Sequence, residues 1–274
     1  MIRVDAHHHV WRVNRGDYGW LTPDLPICRD YGLDDLRPLL GDITATVLVQ
    51  AAPTEAEAAF LLDTARLSGG LVRGVVGWTD LSAPDAPARI AAMAGDPLLK
   101  GLRPMLQDIA RTDWILREDV RPALDAMTAA GLPFDALIQP RHLPLIPELC
   151  ARHPGLRVVI DHGAKPAIAA GLFQPWADGI ARIARETSAV CKLSGLVTEA
   201  AATWQTADLR LYVGHLLACF GPDRLMWGSD WPVVNLAGGY ARWRDAALDL
   251  LSDLAPGDRD KILGATAVAF YGLT

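Results

Sequence analysis

Short runs of β-branched and apolar residues recur along the chain, and between them lie longer segments whose apolar positions return every three or four residues. The first pattern suits a strand and the second an amphipathic helix, so their alternation predicts βαβ units on a parallel sheet. Eight candidate strands follow in order: 2–5, 45–50, 72–78, 99–105, 134–139, 157–161, 189–193 and 224–228. Thr54-Glu55-Ala56-Glu57 has the form of a capping box, with the Thr54 hydroxyl placed to accept from the Glu57 amide, and opens a helix that runs to Gly69-Gly70. Further helices read at about 84–95, 119–130, 143–153, 175–187, 206–220, 240–254 and 258–271, several of them closed by a glycine such as Gly95, Gly131 or Gly221.

Eight strand–helix units fit a (β/α)₈ TIM barrel formed as one domain over 1–274, with an open doubly wound sheet as the competing arrangement. In a barrel the catalytic groups sit just past the C-terminal ends of the strands, which turns scattered polar residues into a candidate constellation. The first strand leads into Asp5-Ala6-His7-His8-His9, where alternation puts His7 and His9 on one face and His8 on the other. Two imidazoles so placed suit a divalent metal such as zinc. The sixth strand leads into His162 and the eighth into Asp230. Asp230 is suited to hold a water and take its proton, and His162 to polarise the bond being broken or to orient that water.

Other strand ends supply Gln50, Trp78, Arg103, Gln107, Arg141, His142, Lys165 and Trp231, side chains suited to a hydroxylated or carboxylated ligand. An insert at about 11–26 carries Tyr18 and Trp20 and is too long for a simple βα turn, so it is expected to fold over the mouth and touch a sugar-like ring. There is no G-x-S-x-G elbow, no G-x-x-x-x-G-K-[ST] loop and no strand-linked G-x-G-x-x-G, which leaves activated water as the simplest nucleophile and removes the usual nucleotide cofactors.

Composition narrows the partners. A net charge of −6 and scattered arginines leave no basic face for nucleic acid. Four widely spaced cysteines without a C-x-x-C pair are expected to be reduced. With no apolar signal region and no run long enough to span a bilayer, a cytoplasmic protein that neither enters a membrane nor binds nucleic acid is expected. The oligomeric state is not legible in the sequence.

The chain resembles the lactonase branch of the amidohydrolase superfamily, the group with L-fuconolactonase, L-rhamnonolactonase and the 2-pyrone-4,6-dicarboxylate lactonase. The resemblance runs the whole length and rests on Asp5-Ala6-His7-His8-His9-Val10-Trp11, Gly16-Asp17-Tyr18-Gly19-Trp20-Leu21-Thr22-Pro23, Val49-Gln50-Ala51-Ala52-Pro53-Thr54, Gly101-Leu102-Arg103, Ile160-Asp161-His162 with Lys165-Pro166, Lys192-Leu193-Ser194-Gly195-Leu196, and Gly228-Ser229-Asp230-Trp231-Pro232. It implies a distorted barrel that hydrolyses the lactone of an oxidised sugar, a small-molecule substrate. Asp230 would activate water, while His162, His7 and His9 would polarise the lactone carbonyl or hold a metal that does so, His9 thus counting among the catalytic residues as well as the ligands. The implied cofactor is one divalent ion, zinc by preference, held among His7, His9, His162 and Asp230, with metal-independent hydrolysis as the alternative. Many metal-dependent relatives place a Lys, Glu or His ligand after strand 4 or 5; here those ends offer Arg103, Met105, Gln139 and His142, which argues against a carbamylated-lysine binuclear centre. Two other readings compete: a zinc-dependent decarboxylase or hydratase of the same superfamily, and a non-catalytic barrel that binds sugar acids.

Overall fold

Eight parallel strands line up in chain order in the computed structural model, which describes residues 2–274: β1 (Val4–His8), β2 (Ala45–Val49), β3 (Val72–Gly77), β4 (Leu99–Leu102), β5 (Phe134–Ala136), β6 (Val158–Ile160), β7 (Val190–Leu193) and β8 (Leu225–Trp227). Met1, the first residue of the expected domain, lies outside the described residues. The ring closes between β8 and β1 through residues beyond the last strand, with the Asp230 amide donating to the His7 carbonyl at 2.8 Å and the His9 amide to the Trp231 carbonyl at 2.6 Å. Register shifts where β1 meets β2, β2 meets β3 and β3 meets β4 make the barrel irregular. The (β/α)₈ barrel is therefore the fold, and the open sheet is excluded.

A four-residue α1 (Leu33–Leu36) lies between β1 and β2. The helices of the outer ring are α2 (Glu55–Arg66), α3 (Ala86–Met93), α4 (Arg121–Ala129), α5 (Leu145–Arg152), α6 (Trp176–Glu186), α7 (Thr206–Phe220) and α8 (Tyr240–Leu250). Alternate strand residues join two clusters: Leu48, Ile160, Leu193 and Trp227 belong to the large core shared with the helices, whereas Val47, Val49, Val159, Val190 and Met226 form a smaller one with Tyr271, which alternation assigns to the barrel interior.

The Thr54 hydroxyl accepts from the Glu57 amide at 3.0 Å, the expected half of the capping box. The other half is used differently. The buried Glu57 carboxylate accepts from the amides of Ala51 and Ala52 at 2.7–3.0 Å and so fixes the turn that follows β2. Burial pushes its carboxyl up to about 7 against those hydrogen bonds.

Two expected boundaries move for physical reasons. Strand 1 reaches His8 because its polar side chains find buried partners, His7 inside the barrel and His8 on the opposite face, whereas hydropathy stops at Asp5. The segment expected at 258–271 is α9 (Pro256–Asp260), a π turn (Lys261–Ala265) and α10 (Thr266–Tyr271), and its last residue, Tyr271, donates to Asp135 Oδ2 inside the barrel at 2.6 Å. All four cysteines are free, and among the described residues no helix is long and apolar enough to cross a membrane.

Candidate active site

The end of β1 brings His7 and His9 together as alternation requires, with ring centroids 5.0 Å apart, while His8 turns away to Thr46 Oγ1 at 2.9 Å. His162 joins them from the turn after β6, its ring 4.5 Å from that of His7. Four consecutive residues in this turn, His162 to Lys165, have left-handed backbone, which disfavours every non-glycine residue among them. The turn is held by Trp176 Nε1, which donates to the Gly163 carbonyl at 2.7 Å, and by a 2.8 Å hydrogen bond between His162 Nδ1 and Ser194 Oγ. Gly195 leaves room for that imidazole: a Cβ there would lie 2.4 Å from His162 Nδ1.

Asp230 occupies the centre. It too is left-handed, at φ 58°, a conformation that Asp tolerates better than most residues. Its Oδ1 lies 3.3 Å from His9 Nε2, 3.8 Å from His7 Nε2 and 3.9 Å from His162 Nε2. Burial alone would raise the carboxyl, but the surrounding histidines, His162 foremost, outweigh it and hold Asp230 below the usual carboxylate range. Burial also depresses His162 to about 4, so that imidazole is neutral near pH 7. His7 is driven lower than usual by burial and by the Lys192 charge.

Hydrogen-bond roles follow from the fixed partners. His9 Nδ1 must donate to the Val49 carbonyl, 2.8 Å away, so neutral His9 turns its Nε2 lone pair toward Asp230 Oδ1. Two acceptors 3.3 Å apart in a buried site call for a cation between them or a proton on His9. His7 has a cation at each ring nitrogen, the Arg103 guanidinium 3.3 Å from Nε2 and the Lys192 ammonium 3.2 Å from Nδ1, with Asp161 Oδ1 3.6 Å from Nδ1. The donor atoms of His7, His9 and Asp230 all lie within 4.8 Å of one another, as do those of His7, Asp161 and His162. This donor set of imidazole and carboxylate fits a divalent ion such as zinc.

Beneath His7 lies a charged network that the strand-end reading passed over. Lys192 Nζ is 2.6 Å from Asp135 Oδ2, 3.0 Å from Asp161 Oδ1 and 3.2 Å from His7 Nδ1, all of them fully buried. Arg103 completes it, 3.2 Å from Asp161 Oδ2. The signal was present in the sequence: a lysine inside Val190-Cys191-Lys192-Leu193 and an aspartate inside Phe134-Asp135-Ala136 are charges in buried strands, which need partners.

A cavity of about 270 Å³ opens above Asp230. Of the candidate residues, His9, Trp20, Arg103, Gln107, His162, Lys165 and Asp230 line it. The rest have other neighbours. Gln50 lies behind Arg103, accepting from its Nε and donating back to its carbonyl. Tyr18 and Trp231 are buried in the aromatic packing around Trp11 and Tyr31, and His142 Nδ1 accepts from the Gln139 amide. Arg141 binds a neighbouring loop, and Trp78 lies outside the cavity wall. The aromatic insert thus divides its work: Tyr18 packs inward, while Trp20 reaches the mouth and donates from Nε1 to the Ala51 carbonyl at 2.7 Å. Leu25, Met105, Leu137, Val233 and Leu236 give the wall an apolar side that the search for polar strand ends could not find. A second cleft of about 280 Å³ lies near Arg117, Arg121 and Arg152, but each of those guanidiniums is paired with an acidic side chain.

The chain matches the amidohydrolase family over residues 4–273. It is 44% identical over 279 residues to an L-fucono-1,5-lactonase of Burkholderia ambifaria, covering 98% of this chain and 95% of the relative. It is 36% identical over 299 residues to an L-fucono-1,5-lactonase of Burkholderia multivorans, covering 99% of this chain and 96% of that one. Its fold superposes on the crystal structure of an amidohydrolase from Burkholderia multivorans with bound zinc at a TM-score of 0.93, 36% identity and full coverage of both chains. The chain belongs to the amidohydrolase family.

Proposed function

We propose that the protein hydrolyses the lactone of a sugar acid, with L-fucono-1,5-lactone as the first candidate, by attack of a water that Asp230 deprotonates. The observation that carries the reading is Asp230 itself: a carboxyl group at the floor of an open cavity, with three imidazoles around one of its oxygens. The substrate follows from the relatives named L-fucono-1,5-lactonase and from a cavity with both polar and apolar walls.

In this mechanism Asp230 takes one proton from water as the water oxygen bonds to the acyl carbon. The bond from that carbon to the ring oxygen then breaks, and Asp230 returns the proton to the ring oxygen, which becomes a hydroxyl. The new carboxylic acid ionises, so one proton leaves per turnover. An activated ester needs less help from its base than an amide does. His162, held by the 2.8 Å hydrogen bond between its Nδ1 and Ser194 Oγ, acts in this mechanism as the tautomer with its hydrogen on Nε2 and donates it to the oxygen on which charge develops. Arg103, Lys165 and Gln107 contribute polar contacts to the substrate, and Trp20 an apolar ring face. A divalent ion held by His7, His9 and Asp230 would polarise the lactone carbonyl as a Lewis acid.

The test is acid release, followed with a pH indicator, from a panel of five- and six-membered aldonolactones. L-Fucono-1,5-lactone is expected to rank among the best substrates, and acid release from none of the panel would sink the reading. Exhaustive chelation should abolish turnover and zinc should restore it; full activity in protein shown by elemental analysis to be metal-free would remove the metal while leaving the hydrolysis.

Gly195→Ala probes the placement of His162. The new methyl group would collide with the imidazole, and the left-handed backbone at φ +60° adds strain. A shift of about 1 Å in His162 should reduce kcat on the order of 100-fold with the circular dichroism spectrum unchanged. Wild-type kcat in this variant would show that His162 is not needed at its present position.

A further inference from the structure

Three residues beyond Asp230 begins the 3₁₀ turn Val233–Ala237, whose three-residue period puts Val233 and Leu236 on one face and Val234 and Ala237 on another. Val234 and Ala237 are buried in the core, whereas Val233 and Leu236 line the cavity. The turn is pinned at both ends. The Val234 amide donates to the Asp230 carbonyl at 2.9 Å, and Trp204 Nε1 donates to the Ala237 carbonyl at 2.8 Å. Leu236 is 42% exposed, a large apolar side chain left uncovered at the cavity.

Because the ring closes between β8 and β1, this turn adjoins the part of the wall that comes from the β1–β2 connection and the end of β2, namely Trp20, Leu25 and Ala51. Trp20 has a single N–H, and it is already given to the Ala51 carbonyl. Apart from His9 and Asp230, this arc of the lining therefore offers a ligand no side-chain donor or acceptor. The charged groups stand elsewhere on the wall, Arg103 and Asp108 after β4 and Lys165 after β6. Met105 and Leu137, after β4 and β5, lie on the far side of the ring from β8 and β1.

In an aldono-1,5-lactone the substituent on C5 is attached next to the ring oxygen, two bonds from the acyl carbon, while the ring hydroxyls are on C2, C3 and C4. With the acyl carbon at Asp230 and the hydroxyls turned toward the charged groups, the C5 substituent falls on the arc that Val233 and Leu236 share with Leu25. A methyl group there gains by leaving water. A hydroxymethyl group would bury its hydroxyl without a partner, which costs free energy.

We infer that Val233 and Leu236 are specificity-determining residues that select a 6-deoxy sugar lactone, with a methyl group on C5, over its hydroxymethyl counterpart. The inference rests on the lactonase reading and deepens it, because it names the substituent that this side of the cavity accepts.

The experiment measures kcat/KM for three freshly prepared lactones that differ only at C5: L-fucono-1,5-lactone with a methyl group, L-galactono-1,5-lactone with a hydroxymethyl group and D-arabinono-1,5-lactone with hydrogen. Wild type should prefer the methyl compound to each of the others by at least about tenfold, the discrimination that an apolar pocket gives for one such group. Val233→Thr keeps the side-chain shape and adds a hydroxyl, and Leu236→Gln changes an exposed position. Each should cut the preference for methyl over hydroxymethyl by at least about threefold, since a polar partner then meets the hydroxyl. D-Arabinono-1,5-lactone places nothing on the arc and should keep its kcat/KM within about twofold of wild type.

Equal kcat/KM for the methyl and hydroxymethyl lactones in wild type overturns the inference and leaves the lactonase reading in place. Variants that slow all three lactones alike overturn it too, because a general disturbance at Asp230 would do that. If Val233→Thr does not fold, Leu236→Gln decides by the same ratio. Wild-type protein that opens no aldonolactone at all overturns the lactonase reading, and this inference with it.

Discussion

Asp230→Asn is expected to lower kcat for sugar-lactone hydrolysis by at least about two orders of magnitude, as the loss of a general base does. Asn has nearly the shape of Asp, tolerates the left-handed backbone at this position, and has an amide NH2 that can donate to the His9 Nε2 lone pair. The fold should therefore survive, and thermal melting followed by circular dichroism should show a transition close to that of wild type. The variant should also bind zinc more weakly, because a neutral amide replaces the one carboxylate of the His7, His9 and Asp230 group. Turnover near the wild-type rate would remove Asp230 as the base, whatever happened to the metal.

Lys192→Met should strike stability as hard as Asp230→Asn strikes turnover. Lys192 is fully buried between Asp135 and Asp161, and methionine fills its volume without its charge, leaving two carboxylates with too few partners. Breaking such a pair from one side costs about 3–5 kcal/mol, against a total of about 5–15 kcal/mol for a typical protein. The cost should depend on pH with a definite sign. Burial pushes Asp135 up to about 6 even with Lys192 beside it, so in the variant the folded state binds a proton there more tightly than the unfolded chain does. Its stability should be greatest at low pH and fall as the pH rises through that range. Urea denaturation at pH 5 and pH 8 measures this: the loss relative to wild type should be larger at pH 8, and adding Asp135→Asn should recover part of it. An equal loss at both pH values would show that Asp135 is not the charge that Lys192 neutralises.

The sequence carried the barrel and the quartet of His7, His9, His162 and Asp230 because both rest on local rules. Strand and helix periods are visible one segment at a time, and alternation alone sets His7 and His9 on one face. Gln50, Arg141 and His142 have the chemistry of ligand contacts at strand ends, yet they bind Arg103, the 107–112 loop and the Gln139 amide. Which polar group a side chain reaches depends on loop paths that no periodicity records. Lys192 and Asp135 had a local signal, a charge inside an apolar strand, and their partnership emerges only when β5, β6 and β7 lie side by side. Leu25, Val233 and Leu236 had none, because an apolar residue in a loop reads the same whether it walls a cavity or packs on a helix.

The central claim is hydrolysis of an ester ring at Asp230, and it is tested most directly by offering the purified zinc-loaded protein L-fucono-1,5-lactone and, in parallel, a hydroxylated aromatic carboxylate. Proton release and carbon dioxide release are measured from each. The account predicts one proton released per lactone opened, no carbon dioxide from either compound, and loss of the proton signal in Asp230→Asn. Carbon dioxide from the aromatic acid, with the lactone opening no faster than in buffer, would contradict it.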